Sequence, residues 1–252
     1  MTPYYDDGTV TIWNADCRDV LPLLEPESVD LVVTSPPYNL GANTWDMGGG
    51  GRRKRESGIG YIGHVDAMPE AEYRAWQQDI LRECFNVVAA GGSCFYNHKP
   101  RTLRGRLISP LAWLDGRVIG WTVRQEIVWD RGSTMNHEPT LFWPEDERVY
   151  WLTKGCPKRP PRPIGISTVW RLAPEQSSNP HPAPFPVSLA SRCISAITQP
   201  GDLILDPFGG SGTTARAALD LGRRCILIER EEKYCEIAVS RLSQQVLPLD
   251  VA

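Results

Sequence analysis

Two short apolar runs, each broken by a turn of unusual composition, constrain this 252-residue chain more than any other feature. Leu31-Val32-Val33 leads into Thr34-Ser35-Pro36-Pro37-Tyr38-Asn39. Leu203-Ile204-Leu205 leads into Asp206-Pro207-Phe208-Gly209-Gly210-Ser211-Gly212-Thr213-Thr214. Each run reads as a buried strand. The first turn has the chemistry to hold a planar amino group. The second has the shape to cradle a nucleotide-like cofactor, because its glycines permit a tight turn and a close approach of ligand to backbone.

The rest of the chain supplies the frame. Val10 to Asn14 reads as a strand, Arg18 to Leu24 as a short helix and Val29 to Thr34 as a second strand. Pro69 opens a helix whose apolar face carries Tyr73, Trp76, Ile80, Cys84, Val87 and Val88. Gly91-Gly92 is expected to stop it, with a strand from Ser93 to Asn97. A basic, partly helical stretch is expected to reach Asp115. Strands are expected over Thr122–Trp129 and Arg148–Leu152, and extended, irregular chain over 156–186. A helix over Phe185–Thr198, a strand over Asp202–Leu205, a helix over Thr213–Leu221 closed by Gly222, a strand over Cys225–Ile228 and a helix over Tyr234–Gln244 complete the pattern. Strands alternating with helices predict an α/β fold around a mostly parallel sheet, in one domain over 1–252. Residues 40–68 and 98–120 read as insertions.

Composition excludes several classes. No apolar run is long enough to span a bilayer, and the N-terminus lacks a signal-peptide pattern, so no membrane role is expected. The seven cysteines form no Cys-x-x-Cys pair. A disulfide framework and a metal site are therefore not expected, and a cytoplasmic setting fits. The net charge of −3 does not announce nucleic-acid binding, so such a role must come from local patches. Three stand out: Arg52-Arg53-Lys54-Arg55, then Lys99 with Arg101, Arg104 and Arg106, then Lys154 with Lys158, Arg159 and Arg162.

The strand–turn–helix–strand unit that begins at Asp206 ends in Glu229, placed where a carboxylate accepts ribose hydroxyls in dinucleotide folds. The spacing is not that of the dinucleotide fingerprint. No Gly-Lys-Ser/Thr follows, which rules out a phosphate loop of the ATPase kind. On the acceptor side, an amino group conjugated to a planar ring is a poor nucleophile. It needs acceptors for both N–H bonds before its lone pair can point at an electrophile. Ser35 Oγ can accept one and the Pro36 carbonyl the other, with proline holding that backbone rigid. Tyr38 offers a ring face for stacking an extruded base.

In combination these residues resemble the β group of DNA amino-methyltransferases, the N4-cytosine and N6-adenine enzymes of restriction–modification systems and phages. Ser35-Pro36-Pro37-Tyr38 resembles the family's catalytic motif, and Phe208-x-Gly210-x-Gly212 its cofactor motif. Asn14-Ala15-Asp16-Cys17 resembles the entry segment, with Ala where the family has Gly. Glu126–Asp130 resembles the middle strand, and His181-Pro182-Ala183-Pro184-Phe185-Pro186 the segment preceding the cofactor motif. The resemblance implies a seven-stranded, Rossmann-like methyltransferase sheet in permuted order, catalytic motif before cofactor motif. It implies S-adenosyl-L-methionine held by Asp16, Cys17, His181, Phe185, Asp206, Pro207, Phe208, Gly210, Gly212, Thr213 and Glu229. It implies double-stranded DNA as substrate, gripped by Arg52, Arg53, Lys54, Arg55, Arg101, Arg104 and Arg106. A homodimer, a cognate restriction endonuclease and a bacterial or phage source belong to the same expectation. Ser35 at the head of the motif leans toward cytosine N4, with adenine N6 as the alternative.

Overall fold

The computed structural model describes residues 1–40, 66–132, 142–158, 160–161, 164–174 and 185–243. The first element is β1, Tyr5–Asp6, followed by β2, Val10–Asn14, then α1, Cys17–Val20, and β3, Val29–Thr34. Next come α2, Glu70–Val87, β4, Val88–His98, the short strands β5, Arg101–Leu103, and β6, Arg106–Ile108, and α3, Gly116–Ile119. Then follow β7, Thr122–Asp130, β8, Asp146–Thr153, and β9, Val169–Arg171. The chain closes with α4, Val187–Ile197, β10, Leu203–Asp206, α5, Thr213–Asp220, β11, Arg224–Glu229, and α6, Glu232–Ser243.

Nine strands form one sheet in the order β1-β2-β11-β10-β3-β4-β8-β7-β9. Five of its pairings are parallel and three antiparallel, so the expected parallel character holds. The strand count exceeds the expected seven. The two-residue β1 adds an edge beside β2, and β9 adds the other edge beside β7, inside a stretch expected to be irregular.

Strand alternation sorts the core into two layers. Leu31, Val33, Ile204, Cys225, Leu227, Phe95 and Val149 face the side carrying Leu189, Ala190 and Cys193 of α4 and Ala215, Ala217 and Ala218 of α5. Val32, Leu205, Ile228, Cys94, Tyr96 and Leu152 face the side carrying Tyr73, Ile80, Leu81 and Cys84 of α2. The connection from β10 runs through α5 to β11 on one side. The connection from β3 runs through α2 to β4 on the other, and the two helices lie on opposite faces. The sheet therefore changes its direction of winding between β10 and β3, and in open α/β sheets the carboxyl ends of the strands at such a switch are where ligands bind.

Helix α2 ends differently from the expectation. Val88 already has extended backbone, and β4 follows with no break, so Gly91-Gly92 lies inside the strand. The pair accommodates an irregularity instead. Gly91 takes a left-handed φ of 74°, and β3 shifts its pairing from Val88 to Ser93 across it. A Cβ on Gly92 would stand 2.6 Å from Val88 Cγ1.

The basic stretch after β4 begins as a hairpin, and its helical part is confined to short turns after that hairpin. Its two-residue turn is Arg104-Gly105, both with positive φ, as a tight hairpin with right-handed twist requires. Arg101 corrects the expectation of DNA contact. Its side chain is 2% exposed and paired with Glu70 at 3.0 Å. Its guanidinium lies 4.8 Å from the centre of the Tyr73 ring and 5.7 Å from that of Trp113. Buried charge compensated in this way ties the hairpin to α2 and is closed to phosphate. Arg104 and Arg106 are exposed. Of the third basic patch, Lys154 donates to the carbonyls of Phe85 and Val88, and Lys158 pairs with Asp30, so both serve the fold. Arg52, Arg53, Lys54 and Arg55 lie outside the described residues.

Candidate active site

Five parallel strands deliver their carboxyl ends to one edge: Asn14, Glu229, Asp206, Thr34 and His98 end β2, β11, β10, β3 and β4. The two motifs thus meet on the neighbouring strands β10 and β3, although more than half the chain separates them.

Asp206 fastens that junction. It is 1% exposed. Oδ1 accepts from Thr34 Oγ1 at 2.8 Å and from the Phe208 amide at 3.0 Å, and Oδ2 accepts from Thr214 Oγ1 at 2.6 Å. One carboxyl group therefore holds β3, the glycine turn and the first turn of α5. All these donors are uncharged, and burial pushes its pKa up to about 6.

The glycine turn is shaped by packing. A Cβ on Gly209 would lie 2.2 Å from Leu227 Cγ, and one on Gly212, which has φ +81°, 2.7 Å from Ala238 Cβ. The Gly210 amide donates to Glu229 Oε2 and the Glu231 amide to Oε1, each at 2.8 Å. Glu229 is partly exposed, and its pKa is raised by burial. Thr213 accepts from Arg241 at 2.6 Å. Pro207 is buried, while Phe208 packs edge-on against Trp76 of α2 at 5.5 Å. The Ser211 hydroxyl is buried and has no hydrogen-bond partner among the described residues. Asp16 caps α1 and pairs with Arg18 at 2.8 Å, which lowers its pKa. Cys17 is buried, and its thiol is pushed up to about 12 by desolvation. Phe185 is core. His181 lies outside the described residues.

The proline turn leaves β3 against α2. Tyr73 Oη lies 2.7 Å from the Pro37 carbonyl and 2.6 Å from His98 Nε2. Burial pushes the His98 pKa down to about 3, so this imidazole is neutral. Pro36 is buried. Asn39 has φ 57° and exchanges hydrogen bonds with the backbone of Met68, while the amides of Asn39 and Leu40 donate to Asp66. The two ends of the expected insertion are thereby drawn together.

Ser35 and Tyr38 meet through their hydroxyls at 2.8 Å. Around them stand residues to which sequence reasoning gave no role. Tyr38 Oη donates to Glu147 Oε2 at 2.9 Å. Asn97 Nδ2 lies 2.7 Å from Tyr38 Oη, 3.0 Å from Glu147 Oε2 and 3.3 Å from Ser35 Oγ. Arg131 pairs with Glu147 Oε1 at 3.1 Å. Glu147 and Asn97 are 7% and 2% exposed, and Asn97 Oδ1 has no partner among the described residues. Tyr38 is 8% exposed, with the His98 ring 4.5 Å behind its own. A polar residue inside a strand of large apolar ones was the available signal: Asn97 ends Cys94-Phe95-Tyr96, and Glu147 opens Val149-Tyr150-Trp151-Leu152.

Among the described residues no group of three or more His, Cys, Asp or Glu could hold a metal ion, and no helix is long and apolar enough to cross a membrane. Comparison with known proteins agrees with the geometry. The family model described as DNA methylase matches residues 29–240. A DNA adenine methyltransferase of Escherichia coli K12, YhdJ, is 27% identical over 92% of this chain and 82% of its own. The PvuII DNA methyltransferase, cytosine-N4-specific, superposes with a TM-score of 0.77 over 98% of this chain and 90% of its own, at 20% identity. A Thermus thermophilus protein, TTHA0409, described as a candidate DNA modification methylase and solved with S-adenosyl-L-methionine, gives a TM-score of 0.66 over 91% of both chains at 26% identity.

The state of Asp206 has a measurable consequence. The folded protein holds this proton up to about pH 6, whereas the ordinary carboxyl value is 3.8. Between those limits folding takes up a proton. The stability tied to this group is therefore present on the acid side and lost as pH rises through that window. Asp206→Asn imitates the protonated acid: Oδ1 keeps Thr34 and Phe208, and the amide can donate to Thr214. Urea unfolding of both proteins from pH 4 to 7 should show the wild type losing about 2–3 kcal/mol relative to the variant, at about 1.4 kcal/mol per tenfold change in proton affinity. A constant difference across that range would show that Asp206 stays charged.

Proposed function

The chain belongs to the DNA methylase family, and on that footing we propose that the base it methylates is cytosine, at N4. It is an S-adenosyl-L-methionine-dependent DNA methyltransferase of the amino-directed kind. The observation that carries the finer reading is Ser35 at the head of the proline turn, a neutral acceptor beside the glycine turn at the winding switch. Adenine N6 is the second reading, favoured by the relative named for adenine.

The residues present suit the cofactor. The glycine turn admits a ligand close to its backbone, Glu229 offers a carboxylate already oriented by two amides, and the buried Ser211 hydroxyl lacks a partner among the described residues. When bound, the cofactor supplies an electrophilic methyl group. Glu229 would hold the ribose, and the backbone of Gly210 and Gly212 would line the cofactor. Asp206 acts from beneath, holding the turn rather than touching the ligand, because its oxygens are taken and buried. Asp16, Cys17, His181 and Phe185 are assigned to the rest of the cofactor's rim. At the acceptor, Ser35 Oγ and the Pro36 carbonyl take the two N–H bonds of the target amine and turn its lone pair outward. Most of the rate gain comes from this positioning, with no covalent intermediate. Such a base has to leave the helix to reach Ser35. Arg104 and Arg106, exposed at the hairpin turn, contact phosphates beside it.

Three measurements test this. Unmethylated DNA treated with the protein, digested to nucleosides and weighed, should yield N4-methylcytosine, and Ser35→Ala should lower that yield while leaving cofactor affinity in place. Finding N6-methyladenine instead would replace the target base. Calorimetry on Glu229→Ala should show cofactor binding weaker by about 1.5–3 kcal/mol, the worth of hydrogen bonds to a charged acceptor; undiminished affinity would remove Glu229 from the ribose. Replacing Arg104 and Arg106 by alanine should flatten the log–log dependence of DNA affinity on salt by roughly one unit per lost phosphate contact. An unaltered slope would leave the hairpin turn off the DNA.

A further inference from the structure

The hydrogen-bond cluster behind Ser35 has a direction, and that direction assigns a role to Glu147. An ionised carboxylate only accepts hydrogen bonds. Glu147 has Arg131 on Oε1, and Tyr38 and Asn97 on Oε2. Tyr38 has a single hydroxyl proton, which goes to the carboxylate as the strongest acceptor within reach. Tyr38 Oη then faces Ser35 as an acceptor, so the 2.8 Å contact between them must be made by the serine proton. Asn97 has two amide protons and three neighbours. The shorter contacts, to Tyr38 at 2.7 Å and Glu147 at 3.0 Å, take both, and the 3.3 Å approach to Ser35 is left without one. Ser35 Oγ therefore keeps its lone pairs for a ligand and has no proton to offer it.

We propose that Glu147 is a positioning residue for methyl transfer, which acts through the Tyr38 hydroxyl to hold Ser35 as a hydrogen-bond acceptor and to receive the proton that the methylated amine gives up. The inference rests on the reading of the substrate as a nucleobase amine. As the amine nitrogen would form its bond to the methyl carbon, the bond from that carbon to the cofactor's sulfur would break with its electron pair left on sulfur. The positive charge so passes from sulfonium to nitrogen, which then holds one proton in excess. That N–H bond breaks as a new O–H bond forms on Ser35. The former Ser35 proton moves to Tyr38 Oη, and the former Tyr38 proton to Glu147 Oε2. A cation and an anion become two neutral groups, both hydroxyls are restored, and Glu147 returns its proton to water between turnovers. Tyr38 thus works through its oxygen as well as its ring, with Asn97 bracing both oxygens.

Tyr38→Phe separates the two uses of that side chain, because it keeps the ring and removes the relay. The experiment uses the full chain, unmethylated genomic DNA and cofactor carrying a labelled methyl group, with enzyme in excess. Tyr38→Phe and Glu147→Gln should each slow the single-turnover rate by about 10²-fold or more, the range for a lost proton-transfer group. KM for DNA and calorimetric cofactor affinity should stay near wild type. The double variant should be no slower than the worse single one, since both changes cut one chain. Cofactor affinity reports whether Glu147→Gln has folded, and Tyr38→Phe decides the matter if it has not. A wild-type rate in Tyr38→Phe, or losses that multiply in the double variant, would overturn the relay. A wild-type protein that put no methyl group on any base amine would instead overturn the substrate reading on which it rests.

Discussion

The carboxyl group of Asp206 is the joint on which the site depends. It lies between β10 and β3, where the sheet changes its direction of winding, and it binds a hydroxyl from each side as well as the amide of the intervening turn. Three donors hold it, none of them charged, so the energy of the joint is that of buried hydrogen bonds in a medium of low polarity. Such a joint is directional. It sets where β3 ends relative to the glycine turn, and with that the distance from Ser35 to any ligand on the turn. The burial that raises its pKa to about 6 is the same burial that closes the seam to water.

A second layer of polar groups supports the proline turn from behind. Tyr73, Gln77, Tyr96, Trp113 and His98 form a hydrogen-bonded group between α2, β4 and the segment before α3. Arg101 lies over the Tyr73 and Trp113 rings of that group and pairs with Glu70. Leaving any of these groups unpaired in the interior would cost more than pairing them gains, so the cluster specifies one arrangement rather than adding bulk stability. Its output is a fixed Pro37 carbonyl, and through the following residue a fixed Tyr38. Rigidity at that point matters because the reaction depends on placing a weak nucleophile in line with its electrophile.

The frame and the two motifs could be read from local pattern because each is a local object. A strand that ends in Ser-Pro-Pro-Tyr, or in a run with three glycines, carries its turn chemistry in adjacent residues. The cluster that completes the acceptor side could not be read so. Asn97, Arg131 and Glu147 come from β4, the end of β7 and β8, and they converge only because β4 pairs antiparallel with β8 and β8 with β7. Arg101 was misread for a related reason. In sequence it sits among other basic residues. Its burial follows from Glu70, Tyr73 and Trp113, none within ten positions of it. Gly91-Gly92 shows the limit of a local rule: two glycines after an amphipathic helix suggest a stop, but here the strand's irregularity needs them and the helix ends four residues earlier.

The permuted order of the motifs follows from the same geometry. Both halves place their working residues at the carboxyl ends of strands, and the two strands lie side by side at the winding switch. What the chemistry requires is that adjacency, with one motif on each side of the seam. Chain order enters only through which connections join the strands. A chain that visits β3 first and β10 last therefore builds the same crevice as one that visits them in reverse, provided the seam is closed. Asp206 and Thr34 close it from opposite ends of the sequence, with 172 positions between them. Because that contact is so distant in the chain, the acceptor side and the glycine turn depend on one long-range closure, whose entropic cost must be met before either half of the site has its geometry.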